Sequence, residues 1–432
     1  MSNDYTSISK ILTSSLDKEI KDAQGIFFSP PESIVKCINY IDHILKHKYK
    51  TVLEPSCGSC EFINRLDKKK DLDITGIEYN DVIYDTIKNI DFNNNVQLYN
   101  ADFLEHSFDK KYDLIIGNPP YFVYNKKNIQ KKYHKYLSGR PNIFLIFILK
   151  SLELLTVNGI LAFILPKSFL NCSYYQKVRE YIYNNYHVKT VLDCSNHSYI
   201  ETEQDTFILI IKNTKLSFNN DKYFVKNNYL MNTKKNIEIV KTIMEDSATL
   251  HNLDFEVFNG KFVWNQEKHS LTNDEKNTRL IYSGDIIDGK IKTLKNEDII
   301  DKWKTLSEKY KQNQTKSLKD KLAKKHYVDD EKNDYKSKLT KGMSLIINRG
   351  YGNTNYNLTY GLVTLDKYYL ENHVLAIKYK KSNNLENKDL EKLYQKIILS
   401  LKDPRTKQFI DICMGNNAMN TTELEYLLPI FI

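Results

Sequence analysis

Residues 112–121 read Tyr-Asp-Leu-Ile-Ile-Gly-Asn118-Pro119-Pro120-Tyr121, an apolar run that stops at an amide, two prolines and an aromatic ring. Asn118 and Pro119 each precede a proline and are therefore pushed toward extended conformations, and neither proline has an N–H to consume a nearby carbonyl. The side-chain oxygen of Asn118 and the backbone oxygen of Pro119 are thus rigid acceptors that can converge on one planar amine, with Tyr121 stacked on the ring that bears it. An exocyclic amine is a poor nucleophile because its lone pair is delocalised into the ring. Two acceptors gripping its hydrogens favour a pyramidal nitrogen whose lone pair can attack. Asn118, Pro119, Pro120 and Tyr121 are the candidate catalytic residues, and any planar amine would suit them.

Upstream, Thr51-Val-Leu-Glu54-Pro55-Ser-Cys57-Gly58-Ser-Cys60-Glu61-Phe62 reads as a buried strand, a small-residue turn and a helix. A backbone that passes close to a ligand needs such a turn, and in open α/β sheets ligands sit at the carboxyl ends of the strands. The next strand, Ile74-Thr-Gly-Ile-Glu78, ends in a carboxylate placed to take the ribose hydroxyls of an adenosine cofactor. A third ends in Asn100-Ala-Asp102-Phe103, where the acid can accept from an adenine amino group beside a ring that covers the base. Cys57-x-x-Cys60 has the spacing of zinc ligands, but no second Cys or Cys/His pair follows at ligand spacing, so no metal is expected.

These groups need elements to position them. Short β-branched runs near 51–55, 73–78, 95–100, 112–117, 159–165, 189–194 and 206–212 alternate with helical spacing over Ser33–Lys46, Ile143–Leu155 and Tyr174–Asn185. That alternation predicts βαβ units in a doubly wound parallel sheet, with Asn158-Gly159 ending the second helix. Seven of the nine prolines fall before residue 167, so a different architecture is expected further on. Residues 214–250 are polar and Asn/Lys-rich, a linker by composition. Beyond them come strand-like segments (Phe255–Trp264, Leu280–Ile287, Met343–Asn348, His373–Lys378) and a Lys-rich helical stretch around 302–341. The expected domains are 1–235 and 245–432.

Composition narrows the class. With 432 residues, 41% hydrophobic, 31 Tyr and 19 Phe, the chain is long and apolar enough for two cores. Its start lacks a basic region followed by an apolar stretch, and its longest apolar run, Ile143–Leu149, is far short of a membrane span, so a cytoplasmic protein is expected. Net charge is +9, but only six of the 63 basic residues are Arg, and the joint abundance of Lys, Asn, Ile and Tyr follows AT-rich codons, so charge weighs little.

In motif order the chain resembles the γ-class, TaqI-type DNA adenine-N6 methyltransferases, which use S-adenosylmethionine. Gln24-Gly25-Ile-Phe-Phe-Ser29-Pro-Pro-Glu32 resembles the N-terminal motif that closes over the cofactor's methionine. Glu54–Phe62, with Gly58, is similar to the cofactor loop, Glu78 to the ribose acid, Asp102-Phe103 to the adenine-holding pair, and Asn118–Tyr121 to the catalytic tetrad. Gly159–Pro166 resembles the core strand that follows, and Phe144, in Asn142-Ile143-Phe144, an aromatic flanking the cofactor.

The resemblance implies a class I methyltransferase α/β fold with a C-terminal mixed α/β target recognition domain. It implies rotation of an adenine out of duplex DNA, held between Tyr121 and Tyr199, and direct in-line methyl transfer without a covalent enzyme intermediate. Gly260–Trp264, Leu280–Ile286, Asn372–Leu375 and Leu427–Ile430 resemble fixed points of the recognition domain. Within it, Arg349, with Asn348, Tyr351 and Asn353, has the donors and amides that read guanine and adenine edges. The implied partners are duplex DNA and, in a restriction–modification setting, a companion endonuclease; a monomer is expected. One departure stands out: Cys60 occupies a loop position where the family usually has glycine, so Cys60 must avoid positive φ or tolerate its strain. Methyltransferases of RNA bases or of glutamine amides share an Asn-Pro-Pro-Tyr segment but generally lack so long a C-terminal domain. A decayed DNA-binding protein is the remaining alternative.

Overall fold

The structure is a computed structural model. It describes residues 4–45, 48–69, 71–197, 199–202, 204–287, 289–292, 324–329, 336–350, 356, 358–381, 385–414 and 418–432. These fall into two units, 1–241 and 242–432.

The first unit is built on seven strands: β1 (Thr51–Glu54), β2 (Asp73–Glu78), β3 (Asn95–Asn100), β4 (Tyr112–Gly117), β5 (Leu155–Pro166), β6 (His187–Asp193) and β7 (Thr206–Lys212). Their order is β3-β2-β1-β4-β5-β7-β6, with β7 antiparallel to both its neighbours. The sheet is doubly wound, with apolar cores on both of its faces. Side chains alternate across it as the pleat requires. Val52, Ile74, Leu114, Ile116 and Ile160 enter a core with helix Pro31–Leu45. Leu53, Ile77, Ile115 and Leu161 enter another with helix Ile143–Glu153. The order reverses between β1 and β4, and β1 to β4 all end at the same edge, so a crevice forms there.

Two local expectations change. Asn158-Gly159 does not end the preceding helix, which stops at Glu153. It lies inside β5, where Asn158 takes φ 70° and the pairing with β4 slips register, the signature of a bulge. Residues 214–250 are not a bare linker. A hairpin, Phe224–Val225 with Leu230–Met231, is sealed by the buried Arg179, which donates to the carbonyls of Tyr229 (2.6 Å), Phe169 (2.9 Å) and Cys172 (2.8 Å). Helix Lys234–Glu245 follows, and the boundary between units falls within it.

The second unit is mixed α/β. One sheet orders Phe255–Asn259, Val374–Tyr379, Ser344–Asn348, Tyr360–Val363, Gly289–Ile291 and Ile286–Ile287. Another contains Leu271–Thr272, Tyr327–Val328, Thr278–Ile281, Lys367–Leu370 and Leu339–Lys341. Helices Asn387–Lys402, Pro404–Cys413 and Thr421–Tyr426 complete it. The helix expected around 302–341 is contradicted where residues are described: Tyr327–Val328 and Leu339–Lys341 are strands, and 302–323 and 330–335 lie outside the described residues.

Candidate active site

The carboxyl ends of β1, β2, β3 and β4 and the chain before Pro30 enclose a cavity of about 350 Å³. Of the residues expected there, Gly58, Glu78, Asp102, Phe103 and Asn118 line it. Glu78 closes the ring between strands: it accepts from Gly58 N (2.8 Å) and Asn80 N (2.7 Å). Burial pushes its carboxyl up to about 7 against the pull of those N–H groups. Asp102 accepts from Leu104 N (2.8 Å) through one oxygen, which fixes the turn that carries it.

Three candidates stand behind the wall. Ser29, Glu54 and Phe144 are buried but do not line the cavity. Glu54 lies under the loop with Oε2 unpartnered, and burial raises its carboxyl well above the usual range. Phe144 packs edge-on against Tyr121 and Tyr175; one turn along the same helix, Phe147 takes the lining position. Tyr79, 63% exposed next to Glu78, also lines the cavity with Phe122 and Tyr124, and none of the three was among the expected residues. An aromatic directly after a strand-ending acid was the available signal for Tyr79.

Cys60 takes the left-handed conformation a glycine would favour, φ 61° and ψ 29°, at the start of helix Glu61–Leu66. The strain is tolerated because the thiol is fully buried with Cys57 in the core behind the loop. Both thiols are free, and among the described residues no group of three or more His, Cys, Asp or Glu could hold a metal ion.

The segment from Asn118 to Tyr121 is held from two sides. Ser56 Oγ donates to Asn118 O (3.1 Å), and Asn118 Nδ2 donates to Phe27 O (3.1 Å). The second contact directs Asn118 Oδ1 away from Phe27. Gly25 has φ +64°, and a Cβ there would meet Tyr121 N at 2.8 Å, so only glycine lets the N-terminal segment lie this close.

Tyr121 departs from the stacking arrangement expected for it. Its single hydroxyl hydrogen is shared between two acceptors, Asn118 Oδ1 (2.5 Å) and Ile164 O (2.8 Å). Tyr199 does come to the same place: it is buried, and its hydroxyl lies beside those of Tyr121 and Thr206. The two rings meet through their hydroxyls instead of flanking a slot.

In the second unit Arg349 is exposed, with its backbone tied to His373 O (3.2 Å) and Met419 N (2.8 Å). Asn348 is turned inward, contrary to expectation: it is buried, and its amide oxygen accepts from Thr359 N (2.7 Å). Tyr351 and Asn353 lie outside the described residues.

Residues 44–200 match the family described as Eco57I restriction-modification methylase. Modification methylase CviBIII of Paramecium bursaria Chlorella virus NC1A is 31% identical over 212 residues, 49% of this chain and 55% of that protein. The chain therefore spans about half of that relative's length. Type II methyltransferase M.CvrRI of Paramecium bursaria Chlorella virus XZ-6E is 25% identical over 368 residues, 84% of this chain and 85% of the relative. Among solved structures, the DrdV–DNA complex aligns with 95% of this chain and 57% of its own at TM-score 0.50 and 12% identity, a likeness of fold alone.

Proposed function

We propose that the chain is a sequence-specific DNA adenine-N6 methyltransferase of a restriction–modification system, with S-adenosylmethionine as cofactor. The carrying observation is one crevice that joins an adenosine-type acid set to Asn118, all within the span that matches restriction-modification methylases. The cavity fits the cofactor: Glu78 offers acceptors for ribose hydroxyls, Asp102 an acceptor for the adenine amine, and Tyr79 a ring for the base. When bound, the cofactor supplies an electrophilic methyl group on a sulfonium.

The chain's residues prepare the nucleophile. The target base leaves the duplex stack and enters beside Asn118. When the amine displaces the Tyr121 hydroxyl from Asn118 Oδ1, the freed ring can pack on the base, with Tyr199 supplying the other face. Asn118 Oδ1 and Pro119 O accept the two N–H groups and turn the lone pair toward the crevice. No general base is assigned; the methylated ammonium loses its proton to water. The second unit reads the duplex, with Arg349 exposed to do so.

The test is modified-base sequencing of plasmid DNA from cells expressing the chain or Asn118→Ala. N6-methyladenine in one sequence context, lost in the variant, is expected. Removing one preorganised transition-state contact costs about 3 to 4 kcal/mol, a hundredfold or more in rate. Methylation of another base, or N118A within threefold of wild type, refutes the reading.

A further inference from the structure

Lys150 is not part of the cavity wall, yet it makes an unusually complete set of contacts behind it. It sits in the last turn of helix Ile143–Glu153, and its ammonium donates to the carbonyls of Phe103 (2.6 Å), Leu104 (2.9 Å) and His106 (2.8 Å). A lysine ammonium has three donors, and here each has an acceptor. The same Nζ lies 5.1 Å from the ring centroid of Phe103 and 5.4 Å from that of Phe108. All these contacts go to residues 103–108, the segment that follows Asp102.

That segment determines where the Asp102 carboxylate can be. Asp102 Oδ1 accepts from Leu104 N, and Asp102 O accepts from Glu105 N (3.1 Å) and His106 N (2.8 Å). Acid and turn therefore move together. Phe147, one turn before Lys150 on the same helix, packs on Phe103 with centroids 4.8 Å apart and lines the cavity. Without the ammonium, the three carbonyls would be left with one long side-chain contact, Gln130 Nε2 to Leu104 O (3.4 Å), and their mutual repulsion would open the turn.

We propose that Lys150 is a positioning residue for the adenine end of the cofactor: through its three carbonyl contacts it fixes the turn that places Asp102 against the adenine amino group. This rests on the adenosine reading of the cavity. The helix thus aligns the adenine slot from behind by a charge that never touches the ligand.

The test measures binding of S-adenosylhomocysteine and of its analogue lacking the purine 6-amino group, by calorimetry, on wild type, Lys150→Met and Lys150→Gln. Wild type should prefer the amino-bearing ligand by about tenfold, the worth of one hydrogen bond to a charged acceptor. In either variant that preference should collapse toward one, while a merely structural lysine would lower the melting temperature and leave the preference intact. A retained preference in a folded variant overturns the proposal. If wild type binds neither ligand, the adenosine reading fails instead.

A second measurement needs no variant. Reductive methylation of the native protein, read by mass spectrometry, should modify exposed lysines such as Lys88 while sparing Lys150, and S-adenosylhomocysteine should slow Lys150 further. Labelling of Lys150 at the rate of Lys88, or indifference to the ligand, overturns the proposal.

Discussion

Glu78 offers a test in which cofactor affinity and fold stability move in opposite directions. Its carboxyl is raised from 4.5 to about 7, first by burial, with the N–H groups of Asn80, Gly58 and Tyr79 pulling the other way. A raised acid makes the charged form costly in the folded state. The fold is not penalised below pH 4.5, and the penalty grows as pH rises to about 7. At 1.36 kcal/mol per unit the full penalty is about 3 kcal/mol. Ligand binding runs the other way, because ribose hydroxyls need the ionised acceptor. At pH 6 only about a tenth of Glu78 is ionised, so the dissociation constant for S-adenosylhomocysteine should be about tenfold weaker than at pH 8. Calorimetry at pH 6, 7 and 8 and constant ionic strength reads this directly. Glu78→Gln should bind weakly at every pH and flatten the profile, since the amide cannot ionise and turns a donor toward Gly58 N or Asn80 N. Urea unfolding of the unliganded protein should show wild type losing stability relative to E78Q between pH 4.5 and about 7. A flat wild-type profile, or an equal slope in E78Q, would refute the placement of the cofactor ribose on Glu78.

Three further outcomes are expected. Arg349→Ala should keep cofactor affinity, weaken cognate duplex binding by about 1 to 3 kcal/mol and relax one position if the contact is bidentate to guanine. If Arg349 holds a phosphate, cognate and non-cognate duplexes weaken alike and the salt slope falls by about one; unchanged binding at several salt concentrations rejects both. Cys60→Gly should be more stable to urea than Cys60→Ala by about 1 to 2 kcal/mol, because only glycine relieves the left-handed strain, and the reverse order would show no strain there. Tyr121→Phe should keep transfer within a few fold and need no more DNA for half-saturation than wild type, since it removes the hydroxyl that competes for Asn118 and keeps the ring. A hundredfold loss in steady-state rate would mean the hydroxyl itself serves the reaction.

What was legible in the sequence follows from locality. Alternation of apolar residues specifies which face of β1, β4 and β5 each side chain takes. Parallel neighbouring strands must end at one edge, so Glu78, Asp102 and Asn118, each at or just beyond a strand end, had to meet there. The order of strands β5, β7 and β6, and the bulge at Asn158, required pairing partners far along the chain.

Side-chain placement was decided by tertiary packing. Helix Ile143–Glu153 is apolar almost all round, so periodicity gave no phase to choose Phe147 over Phe144 for the cavity. The hairpin at Phe224–Met231 was masked by its Asn- and Lys-rich surroundings and forms because the buried Arg179 satisfies carbonyls from distant segments. Asn348 has the chemistry of a base reader, yet it sits at the end of a buried strand, where an amide that does not bond the neighbouring backbone would be costly. Lys150 looked like one of many lysines, and only the fold set three carbonyls around it. Residue type and spacing therefore determined which groups could do the chemistry, because strand ends and turns are local. Which of them face the cavity was left to long-range packing, because burial and hydrogen-bond satisfaction depend on partners that local sequence does not specify.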